Sequence, residues 1–278
     1  MSEPLSPGLY VVATPIGNLG DLSERAAATL CGADLILAED KRVSAKLLAR
    51  VGSKARMVVY HDHSSEADRD AILARLSDEV VALISDAGTP LISDPGYKLV
   101  RAARHKGLAV HTVPGPCALV AALTLAGLPT DRFLFGGFLP AKAKARSDTI
   151  AEFAAIRATL VFYESGPRLA EALAALHVGL GNREAAVARE ITKLHEECVT
   201  GSLAELVDRY SAAQPKGEIV VMVGPPTEPP PASEDLLDAV LREALSQLSP
   251  SRAAAQVAEQ LKVPRKRAYA RALELASE

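Results

Sequence analysis

Apolar runs of three to five residues punctuate the first part of the chain: Leu9–Ala13, Leu35–Ala38, Met57–Val59, Val80–Ile84 and Val110–Val113. Stretches of helical length near 22–31, 43–51, 66–76 and 97–106 lie between them. Strand-helix alternation at this spacing predicts a parallel sheet with helices on its faces. Right-handed crossovers then set the strand C-termini, and the loops after them, along one edge. Those loops are Thr14-Pro15-Ile16-Gly17-Asn18, Glu39-Asp40-Lys41-Arg42, His61-Asp62-His63, Ser85–Gly96 and Pro114-Gly115-Pro116-Cys117. Every polar cluster of this half falls on that edge.

A helical pattern over Ala118–Leu125 ends at Gly127-Leu128-Pro129, a stop that serves as a hinge. A second α/β unit follows. Its strands are expected at Phe133–Phe135, Thr159–Tyr163, Ala185–Arg189, Glu197–Thr200 and Ile219–Val223, and its helices near 147–156, 168–176 and 203–210. The 197–200 run follows 185–189 too closely for a helical crossover, so antiparallel pairing is expected here. Gly224 to Pro231 is too proline-rich for helix or sheet and reads as a stiff linker. Beyond it, Ser249-Pro250 opens a helix that Ala253–Leu261 continues; Lys262-Val263-Pro264 turns, and Arg265–Leu275 forms another helix. Six Lys and Arg stand against three Glu from Ser249 to Glu278. This pattern fits a helix-turn-helix, and equally an amphipathic hairpin docked on the main body or on another subunit. The expected organisation is thus α/β throughout 1–118 and 119–224, with a mostly parallel and then a mixed sheet. A linker at 225–233 and a small helical unit at 234–278 follow.

Lys and Arg number 31 against 34 Asp and Glu, a formal net charge of −3, so any contact with nucleic acid must come from local patches. No apolar run approaches the roughly 20 residues that span a bilayer. The polar, proline-rich start Met1-Ser2-Glu3-Pro4 lacks signal-peptide character, and a cytoplasmic protein without membrane contact is expected. Cys31, Cys117 and Cys198 are scattered, which argues against a disulfide framework and against structural zinc. His61 and His63 have no third ligand at a useful spacing, and no metal is expected.

Chemistry concentrates where strands break. Ser85–Gly96 carries Asp86, Asp94, Thr89 and two serines between glycines and prolines, directly after a buried strand. In open α/β sheets that is where a ligand sits, and glycine lets backbone approach it. The first strand is not followed by GxGxxG, and no GxxxxGK[ST] occurs, which weakens NAD and ATP as ligands. Glu39-Asp40-Lys41-Arg42 reads as a polar wall or as a solvated loop. Phe162-Tyr163-Glu164-Ser165-Gly166-Pro167-Arg168 ends a strand in the second half, as does the charged run Arg189-Glu190-Ile191-Thr192-Lys193. Lys216-Gly217-Glu218 precedes the last strand in the same manner. Lys142, Lys144 and Arg146 fit either a phosphate-facing patch or a mobile loop.

Several of these runs together carry a resemblance. Ala13-Thr14-Pro15-Ile16-Gly17-Asn18-Leu19, Ala38-Glu39-Asp40, Ser85–Gly96, Val113-Pro114-Gly115-Pro116, Gly137-Phe138-Leu139-Pro140, Phe162-Tyr163-Glu164-Ser165 and Arg189-Glu190-Ile191-Thr192-Lys193 occur in order from about Gly8 to Val223. The chain resembles the ribosomal small-subunit methyltransferase I family of the tetrapyrrole methylase superfamily, and its end resembles that family's appended helix-turn-helix. The resemblance implies S-adenosylmethionine held between two α/β domains, a homodimer, and methylation of a cytidine ribose 2′-hydroxyl in the decoding region of 16S rRNA on the small subunit. It places the donor against Gly88, Thr89, Leu91, Ile92 and Ser93, with Ile16, Cys117 and Ala118 completing the first half of the pocket. Glu164 and Ile191 would line it from the second domain. Three departures stand out: Lys41 in place of Thr, Cys117 in place of Ser, and Gly166-Pro167 in place of Pro-His.

A sulfonium methyl is already electrophilic, so the protein's work is alignment and proton removal. Asp86, Glu39 and Glu190 are the candidate bases, with Arg189 and Lys193 holding RNA phosphate or tuning the base. Two rivals remain: a methyltransferase acting on a small tetrapyrrole, and an RNA-binding protein with a vestigial donor pocket. Basic residues at the strand ends speak against the first, and intact glycine loops against the second.

Overall fold

The computed structural model describes residues 4–211, 215–226 and 234–276. Its described residues form two compact units, one ending at Pro226 and one from Glu234 onward.

The first sheet takes β1 (Gly8–Val12), β2 (Leu35–Ala38), β3 (Arg56–Val59), β4 (Val80–Leu83) and β5 (Val110–Val113) in the order β3-β2-β4-β1-β5. All its pairings are parallel. Helices α1 (Glu24–Gly32) and α2 (Lys41–Val51) cover one face; α3 (Glu66–Arg75) and α4 (Tyr97–His105) cover the other. Ile36 and Ala38 pack with Leu30, Leu47 and Leu48 on one side, while Leu35 and Leu37 pack with Leu73 and Leu99 on the other. Burial on both faces is why these strands read as unbroken apolar runs rather than as alternation.

Local signals fix where the helices start. Ser65 and Asp68 form a capping box at α3, Ser23 accepts from Ala26 N at α1, and Asp40 accepts from Arg42 N at α2. Helix α2 starts at Lys41, two residues before the sequence pattern places it, because Asp40 is the cap.

Helix α5 (Ala118–Ala126) packs on the second sheet, where Leu119, Ala122 and Leu123 meet Val161, Ala188, Val220 and Met222. That sheet orders β6 (Phe133–Phe138), β7 (Thr159–Ser165), β8 (Glu184–Arg189), β9 (Glu197–Ser202) and β10 (Glu218–Val223) as β6-β7-β10-β8-β9. Only β6–β7 is parallel; β7–β10, β10–β8 and β8–β9 are antiparallel, the last of these as the short 189–197 connection requires. On its other face lie α6 (Ala143–Phe153), α7 (Leu169–Leu180) and α8 (Leu203–Tyr210) around Phe162, Leu173 and Val221.

The structure corrects three local expectations. Strand β7 runs on to Ser165, so Glu164 and Ser165 are strand residues rather than loop residues. Strand β6 extends to Phe138 through a register shift between Phe135 and Gly137. Helix α6 begins at Ala143, which removes the proposed 142–146 phosphate patch. Arg146 is buried and bonded to Ala141 O and Glu171, and Lys144 is paired with Asp148.

The C-terminal unit contains α9 (Glu234–Leu245), α10 (Pro250–Leu261) and α11 (Arg265–Leu275) around Leu237, Leu241, Val257, Ala268 and Leu275. The sequence pattern resolves only the last two of these. Lys262 adopts a left-handed turn (φ 51°) that joins them. The rest of the expected linker, after Pro226, lies outside the described residues.

Candidate active site

The loops after β1, β2, β4 and β5 converge with the ends of β6, β7 and β8 and the start of β10 on a cavity of about 400 Å³. That volume is of the size that holds a small-molecule ligand. Ile16, Glu39, Asp86, Thr89, Ile92, Ser93, Cys117 and Ala118 line it from the first half; Glu164 and Ile191 line it from the second. The structure brings these residues together around one cavity; Gly88 and Leu91 of the expected donor site do not line it.

Backbone pairing holds the first-half loops together. Thr14 and Gly88 exchange two backbone bonds of 2.8 and 3.1 Å, and the Thr89 hydroxyl donates to Pro116 O at 2.9 Å. Gly88 therefore supports the cavity from behind its wall, and Leu91 turns into the core beside Leu83 and Leu99. Asp62 pins the far end of the loop by accepting from Gly96 N at 3.0 Å. Four non-glycine residues with left-handed backbone flank the cavity: Leu91, Ser93, Glu190 and Thr192, at φ of 73°, 63°, 49° and 67°. Such strain collects where a loop is shaped around a ligand.

Arg189, Glu190 and Lys193 stand off the wall and are engaged with one another's neighbours. Arg189 bonds Glu197 at 2.8 Å, while Lys193 bridges Glu190 at 3.0 Å and Glu218 at 2.9 Å. The Lys193 bond is the main reason that Glu190 titrates below the usual carboxylate range.

Asp94, Phe138, Tyr163 and Glu218, which the sequence motifs leave without a site role, are also on the cavity wall. Each lies within a run noted for its polarity or its glycines, but periodicity gives no sign of which side chain turns inward. Tyr163 lies edge-on to Phe135 and Phe138, and its hydroxyl accepts from Leu119 N at 3.2 Å. It thus caps the start of α5, where Cys117 makes no side-chain cap bond.

The charge of the wall is one-sided. Glu39, Asp86, Asp94, Glu164 and Glu218 line the cavity; among the described residues no Lys or Arg lines it, although Arg168 reaches Glu164 Oε1 at 3.4 Å and Lys193 reaches Glu218 at 2.9 Å. Burial, reinforced by Glu39 and Asp86 against the Ser85 hydroxyl, pushes the Asp94 carboxyl up to about 6. Burial and then Asp86 raise Glu39. Asp86 is anchored by accepting from Asp40 N at 3.0 Å. Glu164 is only 4% exposed; one oxygen accepts from Ser165 N at 2.8 Å, and Oε2 has no partner. A buried carboxylate oxygen left bare on a cavity wall is costly unless a ligand satisfies it. Such a site suits a cationic ligand rich in donors and repels phosphate. Among the described residues, no group of His, Cys, Asp and Glu is placed to hold a metal.

Comparison with known proteins agrees with the sequence motifs. The family described as Tetrapyrrole (Corrin/Porphyrin) Methylases matches residues 8–207. Ribosomal RNA small subunit methyltransferase I of Erythrobacter litoralis is 56% identical over 274 residues, covering 99% of this chain and 97% of that one. The chain belongs to the tetrapyrrole methylase family, in its ribosomal RNA small subunit methyltransferase I branch. The Mesorhizobium japonicum member of that branch is 48% identical, covering 99% of this chain and 94% of the relative. Residues 230–276 match the RsmI C-terminal HTH domain. Among solved structures, diphthine synthase superposes with a TM-score of 0.62 at 16% identity, covering 79% of this chain and 90% of that one. A Thermus thermophilus uroporphyrin-III C-methyl transferase complexed with S-adenyl homocysteine superposes at 0.52 and 23% identity, covering 78% and 97%. These two likenesses establish the fold of a tetrapyrrole methylase branch member, with its parallel and mixed sheets.

Proposed function

We propose that the protein transfers a methyl group from S-adenosylmethionine to a ribose 2′-hydroxyl of 16S rRNA, at a cytidine of the decoding region. The acidic wall carries this reading: among the described residues no ion pair engages Glu39, Asp86 or Asp94, and Glu164 Oε2 has no partner, which favours a sulfonium and an ammonium over a nucleotide phosphate. The names of the close relatives support RNA as the acceptor, and the structure bound to S-adenyl homocysteine supports the donor. Thr89, Ile92, Cys117, Ala118, Glu164 and Ile191 would hold the donor, which when bound supplies an electrophilic methyl. Asp94, with Glu39 and Asp86 beside it, would accept the proton of the ribose hydroxyl. Glu190 fits that role less well because Lys193 already holds its charge. Arg189 and Lys193, tied to the acids of the second-half loop, would keep that rim in shape toward RNA. The homodimer implied by the resemblance belongs to the same reading, and sedimentation of the purified protein checks it.

One assay tests the function: purified protein with methyl-labelled donor, offered small ribosomal subunits, naked 16S rRNA and a tetrapyrrole precursor. Label in the ribose of one cytidine is expected. Label in the tetrapyrrole alone, or in none of the three, overturns the proposal.

Glu164→Gln tests the donor side separately. It keeps the acceptor for Ser165 N but presents an amide where Oε2 stood. Bonds to charged groups contribute about 1.5–3 kcal/mol, so calorimetry should show donor Kd rising by about tenfold or more. An unchanged Kd would mean that Oε2 does not face the donor.

A further inference from the structure

The acidic cavity poses a problem for the function proposed above, because an RNA substrate must bring its phosphates toward five carboxylates. Helix α2 answers it. It starts two residues after cavity-lining Glu39 and contains Lys41, Arg42, Lys46 and Arg50 but no acid. Ser44, Leu47 and Leu48 are its buried side; Arg42, Lys46 and Arg50, spaced i, i+4, i+8, are exposed on the opposite side.

This arrangement runs against helix physics. Like charges at i, i+4 destabilise a helix, and cations in the first turn, Lys41 and Arg42, oppose its dipole. Arg50 in the last turn is the only one that the dipole favours. In a chain with more acids than bases, a charged helix face normally carries both signs. Lys41, Lys46 and Arg50 form no ion pair among the described residues, and Arg42 reaches only its own cap, Asp40, in an exposed pair at 2.9 Å. Helix α4 also carries cations and no acid, but its Lys98, Arg101 and Arg104 donate to Asp62 O, Tyr97 Oη and Val110 O, and Lys106, the residue after the helix, is paired with Asp70. A local rule broken without internal compensation marks a surface shaped for a partner.

We infer that the exposed face of α2 is a phosphate track, along which a single strand of the rRNA substrate lies as its target ribose enters the cavity. The inference rests on the rRNA reading. A row of exposed cations leading from the cavity rim, of which only Arg42 is ion-paired among the described residues, fits a polyanion, and its binding should be salt-dependent through counterion release.

The test uses the full-length protein, labelled donor and small ribosomal subunits, with Lys46→Gln/Arg50→Gln compared with Arg104→Gln/Lys106→Gln. Both doubles remove two charges outside the cavity. The α2 double is expected to raise KM for subunits about tenfold at physiological salt, with kcat within about twofold and donor Kd unchanged. The slope of log affinity against log salt should fall by about 1.4, or 0.7 for each lost contact to a single strand. Its Tm should stay near wild type, since the relieved i, i+4 repulsion offsets the dipole interaction lost with Arg50. The α4 double should leave KM and slope near wild type. Equal effects of the two doubles would reveal a net-charge effect and overturn the track, as would an unchanged KM in the α2 double. Failure of wild-type protein to label any rRNA would instead overturn the underlying function.

Discussion

Asp94→Asn should lower methyl transfer by about 10²–10⁴-fold, the usual contribution of a positioned general base, while leaving donor affinity near wild type. A ribose hydroxyl is a weak nucleophile, so the base must be ionised at working pH and still basic enough to take a proton. Of the cavity carboxylates, Asp94 meets both needs, being pushed up to about 6 by burial and by Glu39 and Asp86. The acid limb of the rate profile should accordingly rise through about pH 6 and level off above it.

Stability supplies a second readout with the opposite sign. The folded pKa of Asp94 lies above its ordinary value of 3.8, so its ionised form costs the fold stability above about pH 6. That cost fades as pH falls through 6 toward 4. Asp94→Asn should therefore melt higher than wild type at pH 8, with the difference closing near pH 4. A structural aspartate would show the reverse, with stability lost on substitution. Parallel loss of donor binding, or collapse of activity in Glu39→Gln but not in Asp94→Asn, would remove Asp94 from the role.

Much of this site was legible before any coordinates. The rule that ligands sit beyond the C-terminal ends of parallel strands led to the loops that hold Ile16, Glu39, Asp86, Thr89 and Cys117, because buried runs such as Val80–Ile84 admit one reading; the family resemblance then singled out Ile16, Thr89 and Cys117 within them. Legibility fell where the second sheet turned antiparallel. There, Glu164 and Ser165 looked like loop residues, because a polar pair at a strand end cannot be told from the first residues of a turn. Their partners, Ile219 and Glu218 on β10, are more than 50 residues away, and only pairing across that distance makes them strand. Asp94 was noted in its loop but given no role, for a different reason: its chemistry arises from burial and from Glu39, which the local sequence does not show, as well as from Asp86 in the same loop. Helix α9 was missed because the proline-rich stretch before it hides where the helical pattern begins.

The departure at Gly166 yields the last expected result. Where the family resemblance calls for a larger residue, this chain has glycine, and the structure gives the reason. A Cβ placed there would stand 1.6 Å from Pro215 O and 2.8 Å from Pro215 C, both backbone atoms that cannot rotate away. Pro215 leads through Lys216 into Gly217, Glu218 and Ile219 of the cavity wall, and Glu218 is paired with Ser165 at the end of β7. Gly166→Ala must push that segment outward, because the rest of the turn is fixed by β7 and by Pro167. Overpacking typically costs about 1–3 kcal/mol, and a clash with backbone belongs at the upper end. In a unit of this size that lowers Tm by about 6–12 °C. The same displacement moves Glu218 and opens the wall beside Glu164, so donor affinity should fall more than tenfold even well below Tm. Thermal melting and calorimetric titration at 15 °C separate the two effects. Lost stability with intact donor binding would detach the 215–219 segment from the donor site; unchanged stability and binding would mean that the close approach at Pro215 is not kept in solution.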